Sequence, residues 1–152
     1  MRILHIDSSS LDTASVTRHW TQATVDRLLQ QHPGSTVEHV DLALAPFPHW
    51  TPEQASTAQS QSVMEQFLRA DVVVIGAPMY NFSIPSQLKA WVDRVAVAGK
   101  TFRYNVLGQP EGVKRGHVPG LSSSAGQRGL RRRFQSGLPL PHRFPGPCGL
   151  RC

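Results

Sequence analysis

The strongest constraint on the fold is a segment that changes from strand to loop to helix over residues 71–95. It begins with four consecutive β-branched residues, Val72 to Ile75, and such an unbroken run is typical of a parallel strand that helices cover on both faces. Gly76-Ala77-Pro78 ends the strand. Beyond the loop, apolar residues recur with helical spacing at Ile84, Leu88, Trp91, Val92 and Val95. We therefore expect a buried parallel strand followed by an amphipathic helix.

The loop between this strand and helix is unusually apolar. It reads Met79-Tyr80-Asn81-Phe82, and the helix behind it is predicted to have Ser83 as its N-cap and Pro85 in its first turn. Ligands of open parallel sheets bind beyond the carboxyl ends of the strands, which is where this loop lies. Tyr80 and Phe82 could flank a flat aromatic ligand, and Asn81 can both donate and accept hydrogen bonds. Ordinary hydrophobic packing of Met79, Tyr80 and Phe82 beneath the loop is an equally good explanation.

A second candidate site lies near the start of the chain. The apolar residues 2–7 predict a strand, and a hydroxyl-rich loop leads from it into a predicted helix over Val16–Gln31. We expect Val16, Trp20, Ala23, Leu28 and Leu29 to form the packed face of this helix. A helix N-terminus with hydroxyls around it is suited to an anion such as phosphate, although helix capping alone would also explain these serines and threonines. Neither GxGxxG nor GxxxxGK[ST] occurs here, so a dinucleotide fingerprint and a nucleoside-triphosphate loop are not supported.

The middle of the chain completes an alternating pattern. Residues 36–42 predict a second strand, and Thr51-Pro52-Glu53-Gln54 has the form of a capping box that begins a second helix. The resulting order β-α-β-α-β-α predicts an α/β fold, with an open parallel sheet of strand order 2-1-3 and helices on both faces. No metal site is predicted, because the histidines among residues 1–113 share no spacing typical of metal ligands; they are His5, His19, His32, His39 and His49.

Charge and composition divide the chain near Val113. Residues 1–113 carry a net charge of −2, whereas residues 114–152 contain 8 Lys and Arg with no acidic residue. The 152 residues fit a single domain, and the absence of a long apolar segment or a signal peptide predicts a cytoplasmic protein without a membrane span. The two cysteines, Cys148 and Cys152, predict neither a disulfide framework nor a metal site.

Three segments together resemble the FMN-dependent NADH-azoreductase and NAD(P)H quinone reductase family, which has a flavodoxin-like fold. The first is the N-terminal strand with Ser9 and the Ser15-Val16-Thr17 loop, and the second is the Ala-Pro-Met-Tyr-Asn-Phe loop at 77–82 with Ile84-Pro85 and Leu88-Lys89 beyond it. The third is the stretch 99–104, Gly-Lys-Thr-Phe-Arg-Tyr, for which the sequence predicts no definite conformation. The resemblance covers residues 1–113.

The resemblance implies a flavoenzyme that takes hydride from NADH or NADPH and passes it to an azo compound or a quinone in a second half-reaction. It implies that Ser9, Ser15, Val16 and Thr17 hold the FMN phosphate, and that the isoalloxazine lies against Met79, Tyr80, Asn81 and Phe82. The flavin carries the chemistry, so no catalytic side chain is named. A homodimer is implied, with no membrane or nucleic-acid partner. The choice between azo and quinone acceptors, and between NADH and NADPH, is left open.

The C-terminal segment departs from the family pattern. A flavodoxin-like sheet has five strands in the order 2-1-3-4-5, but residues 114–152 show no strand pattern for the fourth and fifth strands and are expected to be irregular. The abrupt change in composition favours a shift of reading frame near Val113 over a genuine basic tail that binds an acidic partner. The alternative to an enzyme is thus a truncated, inactive remnant or a binding module with a basic tail.

Overall fold

The computed structural model describes residues 1–112, so the prediction of irregular structure for residues 114–152 lies outside the described residues. A parallel sheet of three strands forms the centre of this part of the chain, in the order β2-β1-β3. Helices connect the strands, which confirms the predicted flavodoxin-like α/β architecture. The strands of this sheet and the helices are β1 (Arg2–Asp7), α1 (Val16–Gln31), β2 (Thr36–Asp41), α2 (Ala58–Arg69), β3 (Val72–Gly76) and α3 (Ser86–Val95).

The register of the parallel sheet determines which residues meet at its carboxyl edge. Asp7, the last residue of β1, is paired with Asp41 of β2 on one side and with Gly76 of β3 on the other. The loops that follow β1 and β3 therefore leave the sheet side by side. This brings the two candidate sites of the sequence to the same edge.

The main apolar core lies between the sheet and helices α2 and α3. Leu4 and Ile6 of β1 are buried there against apolar residues that the helices supply. From α3 these are Leu88, Trp91 and Val95, which belong to the predicted helical face. The periodicity that predicted this helix therefore also identified its packed side.

Helix α1 packs differently from the sequence prediction. Its bounds agree with the prediction, but Val16, Trp20 and Ala23 are exposed, and its buried residues are Thr21 and Val25. The Thr21 hydroxyl is buried because it donates a hydrogen bond of 2.9 Å to Asp7 Oδ1 on β1. The buried side of α1 therefore combines apolar Val25 with a polar contact, which apolar periodicity does not record.

Two predicted helix starts were wrong. Thr51 makes no capping hydrogen bond with its side chain; Pro52–Ser56 form a short 3₁₀ turn instead, and α2 begins after it with Thr57 as N-cap. The N-cap of α3 is Pro85 rather than Ser83. Ser83 forms backbone hydrogen bonds with Tyr80 in the preceding loop, and these hold it outside the helix.

Residues beyond α3 form a small hairpin, β4 (Phe102–Tyr104) and β5 (Pro110–Gly112), which pair in antiparallel fashion as a separate two-stranded sheet. The second half of the segment 99–104 thus forms the strand β4 of this hairpin. Among residues 1–112, no helix has the length and apolar character that a membrane crossing requires.

Candidate functional site

The loops after β1 and β3 are joined by the phenol of Tyr80. Its hydroxyl oxygen lies 3.2 Å from Ser9 Oγ, and it accepts hydrogen bonds of 3.2 Å from both the backbone N–H and the hydroxyl of Ser10. Deeper in the same edge, the Ser8 hydroxyl donates to the carbonyl of Gly76 at 2.6 Å. Ser9 and Tyr80, which the sequence placed in two separate candidate sites, are therefore in direct contact.

The same hydrogen bonds affect the acidity of the phenol. The hydroxyl of Ser10, followed by that of Ser9, lowers the pKa of Tyr80 below its ordinary value, because hydrogen bonds to the phenolate oxygen favour the charged form. The serines on one loop thus stabilise negative charge on an oxygen of the other. An anionic group placed at this junction would meet the same donors.

The Tyr80–Ser83 segment is a tight turn that projects an aromatic ring. The backbone N–H of Tyr80 donates to Ser83 O at 2.9 Å and that of Ser83 to Tyr80 O at 3.0 Å, while the central residues Asn81 and Phe82 have φ angles of 48° and 65°. Positive φ at both central residues is the pattern of a type I′ turn. It is unfavourable for a residue such as phenylalanine, by about 1–2 kcal/mol.

This turn contradicts the explanation that the loop is ordinary packing. Phe82 is 96% exposed and Met79 is 51% exposed, so residues 1–112 leave Phe82 almost uncovered and cover only about half of Met79. An aromatic side chain in an unfavourable backbone conformation and almost fully in contact with water has no stabilising role within the described residues. Such strain is more often found at binding sites than elsewhere.

The N-terminus of α1 supplies the second half of the site. Ser15 is its N-cap and accepts a hydrogen bond of 3.3 Å from the backbone N–H of Arg18, so the capping role considered from the sequence is present. The Ser15 hydroxyl also lies 3.0 Å from Thr17 Oγ1. In the first turn of a helix, backbone N–H groups such as those of Val16 and Thr17 have no helical partner. Hydroxyls and N–H donors are therefore concentrated here.

Sequence reasoning missed Arg18, which connects this helix to the loop after β1. Its guanidinium donates from Nη2 to the carbonyl of Ser9 at 2.8 Å and forms two hydrogen bonds with the carboxylate of Asp41, at 2.5 and 2.9 Å. The pair raises the pKa of Arg18 and lowers that of Asp41. A cation in the first turn of a helix opposes the helix dipole, and this was the sequence signal that could have identified Arg18 as a residue with a specific partner.

The donor set at this edge fits a phosphate group. The hydroxyls of Ser9, Ser10, Ser15 and Thr17, together with the N–H groups of the helix N-terminus, are the donors that phosphate sites use most often. Ser10 belongs to the predicted hydroxyl-rich loop but was not assigned to FMN, and its backbone and side chain both contact Tyr80. The structure therefore brings Ser9 next to Tyr80 and Ser15 next to Thr17, and it leaves Val16, Met79, Asn81 and Phe82 accessible at the surface.

Directly behind the site, the carboxylate of Asp7 is buried between α1 and the sheet. Burial alone would raise its pKa, but the close approach of His5 and the hydrogen bonds with His39 and Thr21 outweigh that effect and lower the pKa of Asp7 to about 2. The packing is close: a Cβ atom on Gly76 would lie 2.8 Å from Asp7 Oδ1 and 3.2 Å from Thr21 Cγ2. Glycine at position 76 therefore allows α1 to approach β3.

Comparisons with known proteins agree with this geometry. A model of a protein family with a flavodoxin-like fold matches residues 1–134, which extends past the predicted limit of the resemblance at residue 113. An FMN-dependent NADH:quinone oxidoreductase of Xanthomonas euvesicatoria is 48% identical over 132 residues, and the match covers 83% of this chain and 68% of that protein. The corresponding enzyme of Delftia acidovorans is 43% identical over 157 residues and covers 93% of this chain and 73% of its own length.

Solved structures show the same similarity. An azoreductase from Bacillus anthracis superimposes with a TM-score of 0.65 at 26% sequence identity, and the match covers 74% of this chain but 63% of that one. The chain thus spans about two thirds of the length of the proteins that it matches. It belongs to the family of flavodoxin-like proteins that includes the FMN-dependent NADH:quinone oxidoreductases.

Proposed function

We propose that this chain binds FMN and uses it to reduce quinones or azo compounds with electrons from NADH. The observation that carries the proposal is the contact of the Tyr80 hydroxyl with Ser9 and Ser10. It makes one continuous surface from a loop suited to phosphate and a loop suited to a flat ring. The relatives named above supply the identity of the ligand, since their names specify FMN and NADH.

The phosphate of FMN would lie at the start of α1. Ser9, Ser15 and Thr17 would donate from their hydroxyls, and Val16 and Thr17 from their backbone N–H groups. The partial positive charge of the helix N-terminus favours a doubly charged phosphate at this position. Arg18 contributes indirectly, because its hydrogen bond to the carbonyl of Ser9 fixes the loop that carries the first of these donors.

The isoalloxazine ring would lie against the loop after β3. Met79 and Phe82 expose apolar surface there, Tyr80 offers the face of its ring, and Asn81 offers an amide that can pair with the polar edge of a heterocycle. Removal of Met79 and Phe82 from water would offset part of the cost of the strained turn. No side chain of the chain is assigned as an acid or base.

FMN bound at this site would supply the redox chemistry, which is the transfer of electrons from NADH to the quinone or azo acceptor. The residues of this chain bind the two ends of the cofactor and orient its ring. A second copy of the chain would cover the exposed side of the ring, which is the homodimer that the family resemblance implies. The alternative of an inactive remnant is not favoured, since the similarity to oxidoreductases covers most of the chain.

The binding step is tested by a matched pair of tyrosine variants. Tyr80→Phe removes the hydroxyl that joins the two loops and keeps the ring, while Tyr104→Phe makes the same change in an exposed residue of the β4–β5 hairpin. We expect Tyr80→Phe to bind FMN about fivefold more weakly than the unaltered chain, equivalent to about 1 kcal/mol for one hydrogen-bonding group. Tyr104→Phe should bind FMN normally. Titration with flavin fluorescence as the signal measures both affinities.

Two further measurements decide between this proposal and a protein without flavin. Riboflavin, which lacks the phosphate, should bind at least tenfold more weakly than FMN if the start of α1 holds that group. The FMN-loaded protein should oxidise NADH when a quinone or an azo dye is added, and the ratio of the two rates identifies the preferred acceptor. Full-length protein that binds neither flavin, or that binds both equally, would contradict the proposed site.

A further inference from the structure

Two histidines and an aspartate meet between β1 and β2, outside the surface described above. His5 and Asp7 are two residues apart on β1 and so lie on the same face of the sheet. The parallel register places His39 of β2 directly beside His5. The ligand atoms that these three side chains offer all lie within 4.8 Å of one another.

The distances between these atoms are close to those of a metal site. Asp7 Oδ2 lies 3.3 Å from His5 Nε2 and 3.0 Å from His39 Nε2. With bonds of about 2.0–2.1 Å, two ligands of a tetrahedral zinc ion are about 3.3 Å apart. Small side-chain rotations would therefore bring all three atoms to bonding distance of one ion.

The buried imidazole of His5 lacks a partner that it needs. Its Nε2 atom is inaccessible to water and forms no hydrogen bond within the described residues, since its approach to Asp7 is not aligned as one. A buried polar atom without a partner costs about 1–3 kcal/mol. A metal ion bonded to Nε2 would remove this cost.

The surroundings of Asp7 are those of a metal-bound carboxylate. Thr21 on α1 donates a hydrogen bond of 2.9 Å to the other oxygen, Oδ1, and such contacts orient carboxylate ligands in metal sites. Arg18 Nη1 is 3.9 Å from Oδ2, and its charge opposes a cation. However, Arg18 is paired through two hydrogen bonds with Asp41, so the charge of Asp7 is only weakly compensated by it.

We infer that His5 Nε2, Asp7 Oδ2 and His39 Nε2 form a binding site for a divalent transition metal ion of the zinc type. Two imidazoles and a carboxylate are a ligand set that zinc and its neighbours in the first transition series accept. His39 is 49% exposed at its side chain, so water can reach the ion and supply a fourth ligand. The ion would join the edge strand β2 to the central strand β1. This inference does not depend on flavin binding.

The test uses zinc and the full-length chain. Zinc is titrated in competition with a chromogenic chelator, first with the unaltered chain and then with His39→Gln and His49→Gln. Both histidines are exposed, so neither change should disturb folding, and circular dichroism checks this. We expect one equivalent of zinc to bind, with an affinity at least about tenfold lower in His39→Gln and unchanged in His49→Gln.

Cysteines provide the main competing source of zinc affinity, so the titration is repeated with Cys148 and Cys152 both changed to serine. The proposed site predicts that this double variant binds zinc as the unaltered chain does. The inference is overturned if zinc does not bind stoichiometrically, if His39→Gln binds as tightly as the unaltered chain, or if binding is lost with the cysteines. In those cases the three side chains interact only with one another and hold no metal ion.

Discussion

The two faces of the central strand β1 are buried to the same extent, but they present different side chains to the helices that cover them. Alternate residues of β1 show this directly: Leu4 and Ile6 face the apolar core under α2 and α3, whereas His5 and Asp7 face α1. All four residues are at most 3% exposed. Burial alone therefore says little about what stabilises each side of the protein, and the chemistry of the facing residues decides it.

On the α1 face, stability and the candidate site depend on the same polar groups. Asp7 accepts from Thr21, and Arg18 pairs with Asp41 while it holds the carbonyl of Ser9. The helix that this network positions is the one whose N-terminus is proposed to hold phosphate. A change in the network should therefore affect ligand binding, whereas a change in the apolar core should affect folding alone.

The largest expected effect is on the apolar face, and two tryptophans provide a matched comparison. Trp91 of α3 is 3% exposed and packs edge to face on Phe67, while Trp20 of α1 is 50% exposed. We expect Trp91→Ala to lower the free energy of unfolding by about 3–5 kcal/mol and Trp20→Ala to lower it by less than about 1 kcal/mol. Urea unfolding followed by circular dichroism measures both. Equal losses would mean that α1 also has an apolar packed face.

A smaller effect is expected for the ion pair on the polar face. Asp41→Asn leaves the guanidinium of Arg18 without its carboxylate in a largely buried position, and we expect a loss of about 2–3 kcal/mol. Asp93→Asn breaks the exposed pair with Lys89, which should cost less than about 0.5 kcal/mol. If the two variants lose similar amounts of stability, the pair of Arg18 and Asp41 stabilises the protein no more than an exposed ion pair does.

The pH dependence of the free energy of unfolding tests whether ionised Asp41 stabilises the folded protein. Folding lowers the pKa of Asp41 below its ordinary value of 3.8, so its contribution is complete above about pH 4 and is lost as the pH falls through the lower, folded value. The unaltered chain should therefore lose more stability than Asp41→Asn when the pH is lowered from 5 to 2. If the free energy of unfolding falls equally with pH in the two proteins, ionised Asp41 does not stabilise the folded state.

The difference between the faces also explains what the sequence could predict. The apolar spacing of α3 correctly indicated that Leu88, Trp91 and Val95 are buried, because these three residues pack in the apolar core. The same argument failed for Trp20, since the buried side of α1 includes Thr21, which donates a hydrogen bond to Asp7, 14 residues earlier in the chain. Spacing within one helix contains no information about such a partner.

The candidate site, like the helix faces, was predicted only in part. The position of the loop beyond a parallel strand indicated Tyr80, the family resemblance indicated Ser9, and the structure brings the two together. Two other features of the site were not predictable. Asp41, the partner of Arg18, lies 23 residues away on strand β2. The positive φ angles of Asn81 and Phe82 arise from a turn whose sequence contains no glycine. These features depend on the register of the sheet and on local strain, which residue types alone do not specify. The proposed cofactor, homodimer and cytoplasmic location stay predictions for this chain.

The smallest expected effect concerns the single hydrogen bond that orients α1. Thr21→Val removes the hydroxyl that donates to Asp7 Oδ1 at 2.9 Å, and Thr24→Val removes one that donates to the carbonyl of Trp20 at 2.8 Å on the exposed side of the same helix. Both changes keep a β-branched side chain, so helix propensity is nearly constant.

A hydrogen bond to a buried carboxylate contributes about 1.5 kcal/mol or more to the free energy of unfolding, whereas an exposed hydrogen bond is replaced by one to water. We therefore expect Thr21→Val to lose about 1.5 kcal/mol and to bind FMN more weakly because the start of α1 shifts, while Thr24→Val changes neither quantity measurably. If the two variants behave alike in both urea unfolding and FMN titration, the polar face does not position the site, and the apolar residue Val25 must be sufficient to hold the helix.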